Sequence, residues 1–340
     1  MFFEQLLQYI IQKYEGQRTL FSAYHLLKGK KSGQTIQDVG LFRLQPYFQL
    51  MPKLKKEIYL EAIQSLESKK IIIVDKHQKI EVTERIDLEI NFDGWHLRGK
   101  EHLFFERIQL AVQSMSNTLN QQTKFLPIVR TDEVHFFIRQ YLLHIQFKEE
   151  TVQQQFIQQF TQLVEEVDLS DLEKNIFVYR LTGAYQIGWT WRQLSEKLHI
   201  SEIDVQLHFI HSLHKIVHFL KNVHLDLLNP LLHSIFSENV LTESTQKTIE
   251  LLQNGYSMEQ ISQYRRLKLG TIEDHIAEYA MYDRRFDISN FVNDETVSKI
   301  KNVVLHVGNK KLKPIKEKVD EASYFQIRLV LAWMEGDSHA

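Results

Sequence analysis

Apolar residues at Phe3, Leu6, Leu7, Ile10 and Ile11 open the chain at the spacing of one helix face. A second helical stretch, "RTLFSAYHLLKG", follows, then "SGQTIQD" and the helical "KLKKEIYLEAIQSLESKK". The pattern then changes period. "IIIVDKHQKIEVTERI" sets two β-rich runs around a polar turn, which predicts a hairpin. Short helices followed by a hairpin are the order of a winged helix, here over residues 1–92. From 93 to 240 the pattern is almost continuously helical, near 102–120, 133–146, 149–166, 171–185 and 191–220. Ser170 and Glu173 predict a capping box, in which each side chain bonds the other residue's backbone N–H. A helical bundle is the natural solution for such stripes. "LTEST" at 241–245 reads as a linker, and 241–340 as a further helical domain, with Pro314 in the first turn of a late helix. The predicted fold is therefore mainly α: an N-terminal winged helix with a small β-hairpin wing, a central bundle and a C-terminal helix-turn-helix domain.

That last element comes from an internal repeat. "GWTWRQLSEKLHISEIDVQLHFI" from Gly188 aligns without a gap on "GYSMEQISQYRRLKLGTIEDHIA" from Gly255. Thr190 with Gln193, and Ser257 with Gln260, predict matching capping boxes, and Trp189 and Tyr256 can staple onto Leu194 and Ile261. The apolar spacing is that of a helix-turn-helix, with small Ser195 or Ser262 at the close approach. The first unit spans 188–210. The turn position that favours glycine holds His199 in one copy and Arg266 in the other, at a cost of about 1–2 kcal/mol for a left-handed residue. Base reading would fall to the start of each second helix. That places Lys268, Thr271, Glu273 and Asp274 in one copy, and Ser201, Glu202 and Asp204 in the other. The acidic residues suit a helix N-terminus but would repel phosphate. For the second copy, with Arg265, Arg266 and Lys268 as offsetting cations, DNA contact and protein contact stay equally open. For the first, packing or protein contact is favoured.

Composition narrows the function. The 340 residues hold only 12 Gly and 5 Pro, which suits helices, and no Cys, which excludes disulfides, thiol nucleophiles and cysteine-ligated zinc. The N-terminus is too charged for a signal peptide and no apolar run reaches membrane-spanning length, so a soluble cytoplasmic protein without membrane attachment is expected. The net charge of −2 is uneven: residues 1–100 carry 16 Lys+Arg against 12 Asp+Glu, 101–239 carry 11 against 16, and 240–340 carry 14 against 15. Phosphate contacts need cations, so DNA binding is expected to be local and N-terminal. The candidates there are Lys28, Lys30 and Lys31 with Gln34 and Thr35 at one helix start, and Lys53, Lys55 and Lys56 at the next. Lys76 and His77 sit at the wing tip. "NKKLKPIKEK", with Lys310, Lys311, Lys313, Lys316 and Lys318, is the most basic decamer and reads chiefly as a solvated run.

No catalytic constellation emerges, so no enzyme activity and no cofactor are expected. "GWHLRGKE" at 94–101 has the glycine and lysine spacing of a phosphate-binding loop. Glu101 replaces the Mg²⁺-binding hydroxyl, however, and Trp95 with His96 crowds the loop, so no nucleotide is expected. His208, His211, His214 and His218 share a broad helix face with no carboxylate on it, which reads as a packing boundary rather than a metal site.

"LTESTQKTIELLQNGYSMEQISQYRRLKLGTIEDHIAEYA" with "LKPIKEKVDEASYFQIRLVLA" resembles the helix-turn-helix domain at the C-terminus of some RecQ-family DNA helicases, over residues 240–335. "LLKGKKSGQTIQD" followed by "IQSLESKKIIIVDKHQKIEVTE" resembles the winged helix of the RecQ C-terminal region, over roughly 15–88. The arrangement is similar to the YpbB-type proteins, which lack the motor. The resemblance implies a non-catalytic accessory of DNA repair or recombination that binds duplex or forked DNA. It would dock a RecQ-type DNA helicase through the acidic middle third and supply the missing module in trans. The zinc module that neighbours the winged helix in those helicases cannot form without cysteine. Against this stand a helix-turn-helix transcriptional regulator, which should carry a basic recognition helix, and a protein-interaction scaffold without DNA contact.

Overall fold

A computed structural model of the chain describes residues 1–122, 124–236, 241–283, 285–307 and 312–335. Among them are seventeen α-helices and one two-stranded hairpin, so the fold is mainly α. First come α1 (Phe2–Lys13), α2 (Phe21–Lys28), α3 (Gly33–Leu41) and α4 (Lys56–Ser68), then strands β1 (Ile72–Val74) and β2 (Ile80–Val82). The middle holds α5 (Gly94–Leu97), α6 (Glu101–Leu119), α7 (Asp132–His144) and α8 (Glu150–Glu166). It continues with α9 (Asp171–Tyr179), α10 (Trp191–Leu198) and α11 (Glu202–Asn222). Last come α12 (Glu243–Gln253), α13 (Met258–Arg265), α14 (Leu269–Tyr282), α15 (Asp294–Val307), α16 (Leu312–Lys316) and α17 (Tyr324–Glu335). Pro314 lies in the first turn of α16, where its missing N–H costs no helical bond.

Two compact units form from these elements: Met1–Leu6 with Glu89–Ser237, and Leu7–Leu88 with Glu238–Ala340. The three sequence segments 1–92, 93–240 and 241–340 thus group differently in space. Residues 7–88 share one body with the last segment, while residues 1–6 and 89–92 go with the middle.

In the first unit, α6, α9 and α11 pack around Phe104, Phe105, Ile108, Phe177 and Phe209, all buried. Phe105 meets Phe209 edge-on at 4.7 Å, the arrangement that sets the positive ring edge against a negative face. The Ser170–Glu173 capping box starts α9 as the sequence predicts. The helix then stops at Tyr179, six residues short of the expected 185. The chain doubles back there: Trp189 N–H donates to the Tyr179 carbonyl at 2.7 Å, and the two rings stack at 4.9 Å. Gly188 passes so close to the Arg180 carbonyl that any Cβ would overlap it, so only glycine fits this return.

The second unit centres on α14, which packs against α12, α13, α17 and α3. Ile272, Ile276 and Ala280 of α14 are fully buried. Glu278 accepts the Thr242 backbone N–H at 2.7 Å and the hydroxyls of Thr242 and Thr245 at 3.2 and 2.5 Å. "LTEST" is therefore not a linker: Thr242 is the N-cap of α12 and Thr245 is buried in its first turn. The threonines that looked like linker composition are the cap and its anchor. The hairpin pairs Ile72 with Val82, Ile73 with Glu81 and Val74 with Ile80. Ile72 and Ile80 are buried while Ile73 and Glu81 face out, the alternation a one-sided ribbon requires.

Candidate nucleic-acid interface

The N-terminal basic surface is built on an aromatic cluster. Phe21 and Tyr24, one helical turn apart on α2, face Tyr59 of α4, with ring centroids 6.4 and 5.2 Å from it. Tyr59 is fully buried and its hydroxyl donates to the Leu20 carbonyl, tying α4 to the start of α2. The ammonium of Lys28 lies 5.5 Å over the Tyr24 ring and that of Lys56 lies 4.8 Å over Phe21. Cations held over ring faces gain quadrupole attraction and lose freedom. The backbone adds to this, with Gln49 N–H donating to Leu26 O at 2.9 Å and Met51 N–H to Leu27 O at 2.8 Å. The two lysine groups, separate in sequence, therefore each seat one ammonium on the same aromatic cluster. Lys30, Lys31, Gln34, Lys53 and Lys55 are exposed around it. Burial first, and the Lys30 charge second, push the His25 imidazole below its usual pKa, a local sign of the positive field.

Thr35 does not belong to this surface. It is buried, its N–H and Oγ1 turned to Ser32 Oγ, the N-cap of α3. It closes the helix start and offers nothing to a phosphate. The outward face of α4 carries Glu57, Glu61 and Glu67, which separate the lysines at its start from exposed Lys69 and Lys70 at its end. At the wing, Asp75 Oδ1 accepts N–H groups from His77 at 2.7 Å and Lys79 at 2.8 Å, with Gln78 left-handed at φ 58°. This fixes the turn and leaves the side chains of Lys76, His77 and Lys79 exposed.

The two helix-turn-helix units match position by position. Both capping boxes form, and His199 (φ 56°, ψ 37°) and Arg266 (φ 53°, ψ 42°) occupy the left-handed turn position. Ser195 donates to the Ile200 carbonyl and Ser262 to the Leu267 carbonyl, each at 2.6 Å. The serines are thus more than small residues at a close approach: each bonds across the strained turn. Ser262→Ala is expected to lower unfolding free energy by about 1 kcal/mol, the net worth of such a bond. Urea denaturation would show it; a change within error would mean that only the small volume of the serine matters.

What the pairs present differs. In the second, Arg266 and Lys268 are exposed at the turn and helix start, beside Tyr264 and Leu269, which are also exposed. Thr271 is half-buried. Arg265 is turned inward, its guanidinium on Ser244 O at 2.6 Å, on Ser244 Oγ at 3.1 Å and on the Thr248 hydroxyl, so it leaves the candidate face. Glu273 and Asp274 do not confront a groove either, because Arg328 of α17 pairs with both. Sequence reasoning missed Tyr264; its signal is a large aromatic lying off the buried stripe marked by Ile261. In the first pair, Ser201 caps α11 and Glu202 is exposed. Asp204 is buried, where it accepts the Phe3 N–H at 2.8 Å. Twelve residues of α11 are buried, so that second helix is a core helix, in line with packing as its role.

The histidine stripe meets carboxylates after all, delivered by other elements. Asp93 bonds His96 Nδ1 at 2.6 Å and His218 Nε2 at 2.9 Å, and Glu173 bonds His211 Nδ1 at 2.5 Å. Burial works against both anions, but these histidine bonds outweigh it. They hold Asp93 well below the usual range and, with Ser170 and Lys215, Glu173 at about 2. His214 is buried, accepts the Asp93 N–H at 2.8 Å, and burial pushes it down to about 3. His208 instead lies against the Phe2 ring at 4.4 Å. Among the described residues no group of three such side chains is arranged to hold a metal. Trp95 of the phosphate-loop look-alike is buried, with Arg98 4.7 Å over its ring. Of the basic decamer, Lys310 and Lys311 lie outside the described residues, Lys313 and Lys318 are exposed, and Lys316 donates to the Asp320 carbonyl. No helix among the described residues is long and apolar enough to cross a membrane.

Residues 244–331 match the family model described as a helix-turn-helix domain. The chain is similar to Protein YpbB of Bacillus subtilis (strain 168), with 30% identity over 339 residues and 94% of each chain covered. No solved structure matches it.

Proposed function

The chain belongs to the YpbB family, and on that footing we propose that it is a non-catalytic DNA-binding factor that acts with a RecQ-type DNA helicase in repair or recombination. The observation that carries the DNA half is the seating of Lys28 and Lys56, from two separate lysine groups, on one aromatic cluster, with Lys30, Lys31, Lys53 and Lys55 exposed around it. Phosphates need cations presented in a fixed geometry but no base-specific group, so this surface suits DNA of any sequence. The exposed Arg266 and Lys268 at the helix-turn-helix tip add a second contact. The helicase half rests on the resemblance of both ends of the chain to parts of the RecQ C-terminal region, together with the missing nucleotide loop.

The test is fluorescence anisotropy of a forked duplex with the full chain across a salt series. Changing Lys30, Lys31, Lys53 and Lys55 together to glutamine leaves the ring-seated lysines in place. If all four touch phosphate, the log–log salt slope should become shallower by about 3–4, at roughly 0.9 per phosphate. An unchanged slope would rule out this surface as the grip. The helicase half is checked separately, by unwinding of the same fork by a RecQ-type helicase with and without the chain. An unaltered unwinding rate would remove that half and leave the DNA half standing.

A further inference from the structure

On the helix-turn-helix domain an open cleft of about 660 Å³ lies between the end of α12, the start of α13 and residues 286–291. Four aromatic side chains line it: Tyr256, Tyr279, Phe286 and Phe291. Phe286 links them, with its centroid 4.9 Å from Tyr279 and 6.0 Å from Phe291. Two carboxylates, Glu259 and Asp287, complete the lining, and no lysine or arginine is among the described residues that form it. Each carboxylate is already positioned by two bonds. Glu259 Oε2 accepts the Ser257 hydroxyl at 2.8 Å and the carboxylate also takes its own backbone N–H. Asp287 Oδ1 accepts the Ser289 N–H at 2.9 Å and the carboxylate also takes the Ser289 hydroxyl. Among the described residues just before the cleft segment, Arg285 is held on Asp283 at 3.1 Å.

We propose that this cleft receives an arginine side chain presented by a protein partner. Aromatic faces attract a cation, and a planar guanidinium can stack on a ring while its N–H fork reaches a carboxylate. Both acids keep acceptor capacity for that fork, since a carboxylate accepts about four hydrogen bonds and each has spent two in the described contacts. The same two charges repel phosphate, so the cleft favours a basic protein segment over nucleic acid. Its place on the helix agrees. Tyr279 lies eleven residues beyond Lys268 along α14, about 16 Å at the helical rise, so the two ends of this helix can face different macromolecules at once. This inference stands apart from the DNA reading, since it uses none of the N-terminal lysines.

Met258 also lines the cleft, and its methyl group reports on it. With methyl-¹³C methionine in the full chain, we would titrate the peptide acetyl-Gly-Ser-Arg-Ser-Gly-amide and follow the six methionine signals by NMR. The Met258 signal is expected to move saturably, while Met281, buried against Gly40, stays still. The same peptide with neutral, isosteric citrulline should bind roughly fivefold more weakly or worse, the worth of about 1 kcal/mol of cation attraction. The variant Glu259→Gln with Asp287→Asn, both exposed positions, should show the same loss with an unchanged thermal melt. Equal shifts from the citrulline peptide, no shift at millimolar peptide, or a shift produced only by a thymidine octanucleotide would each overturn the proposal.

Discussion

Asp38→Ala is expected to lower the unfolding free energy by about 3–5 kcal/mol, the cost of leaving one partner of a buried ion pair alone. Asp38 sits on α3 with only 3% of its surface exposed. Arg18 approaches it with a fork: Nε lies 2.8 Å from both carboxylate oxygens and Nη2 lies 2.6 Å from Oδ1. The guanidinium also lies 4.9 Å over the Phe42 ring and donates to the Gln17 carbonyl. Truncating Asp38 strands that guanidinium inside the second unit. The pair itself is not a large net gain. Burial raises the Asp38 pKa and Arg18 only partly offsets the rise, so desolvation consumes much of the attraction. Replacing both partners, with Arg18→Met and Asp38→Leu, should therefore recover most of the loss. Urea denaturation of the single and double variants checks this. A single-variant loss below about 1 kcal/mol, the scale of a surface pair, would show that the pair is solvated in solution.

Gly40→Leu is the second large effect, expected to destabilise the same unit by about 3 kcal/mol, at the upper end of the overpacking range. Gly33 and Gly40, two turns apart, line the face of α3 that meets α14. A Cβ on Gly40 would overlap the Met281 sulfur, and one on Gly33 would overlap the Asp274 carboxylate. With Gly40→Ala the strain is smaller and has an identifiable relief. Met281→Ala vacates the space, and a mid-helix alanine then gains the roughly 0.5–1 kcal/mol by which glycine is disfavoured. The double variant Gly40→Ala with Met281→Ala should thus fall short of the sum of the two single losses, a coupling that thermal melts can read. Strict additivity would mean that α3 and α14 do not touch at these positions. Both predictions converge on α3, which ties the Arg18 loop on one side and the recognition-type helix on the other. DNA binding is best tested on the full chain, since a fragment ending at residue 92 would expose the α14-facing side of α3.

Much of the local structure was legible in advance because its causes are local. Helical patterns placed α1, α2 and α4, three capping boxes formed as read, and His199 and Arg266 took the left-handed turn that the repeat required. The hairpin followed from β-branched runs around a polar turn. Local reading failed where composition carries two meanings. "LTEST" has the residues of a linker and of an N-cap, and the Glu278 bonds decide for the cap. The 171–185 helix was overrun because its stop comes from the chain returning on itself at Trp189 rather than from a breaker.

The candidate surface divides the same way. Lysine clustering by itself located Lys30, Lys31, Lys53 and Lys55, because an exposed cation needs no partner and its position is decided by sequence composition. Tertiary structure alone decided which polar residues were spoken for. Thr35 went to a cap, Arg265 to α12, and Glu273 with Asp274 to Arg328. It also brought Asp93 and Glu173 to the histidine stripe and set Gly33 and Gly40 against α14, joining residues 7–88 to the C-terminal helices in one body. Each of these depends on residues far apart in sequence, and a side chain's period or propensity carries no mark of a distant partner. Helices, caps and turns are settled by neighbours within a few residues and so were determined by the sequence pattern. Burial and pairing of charge are settled by what folds against them, and only the packed structure decides that.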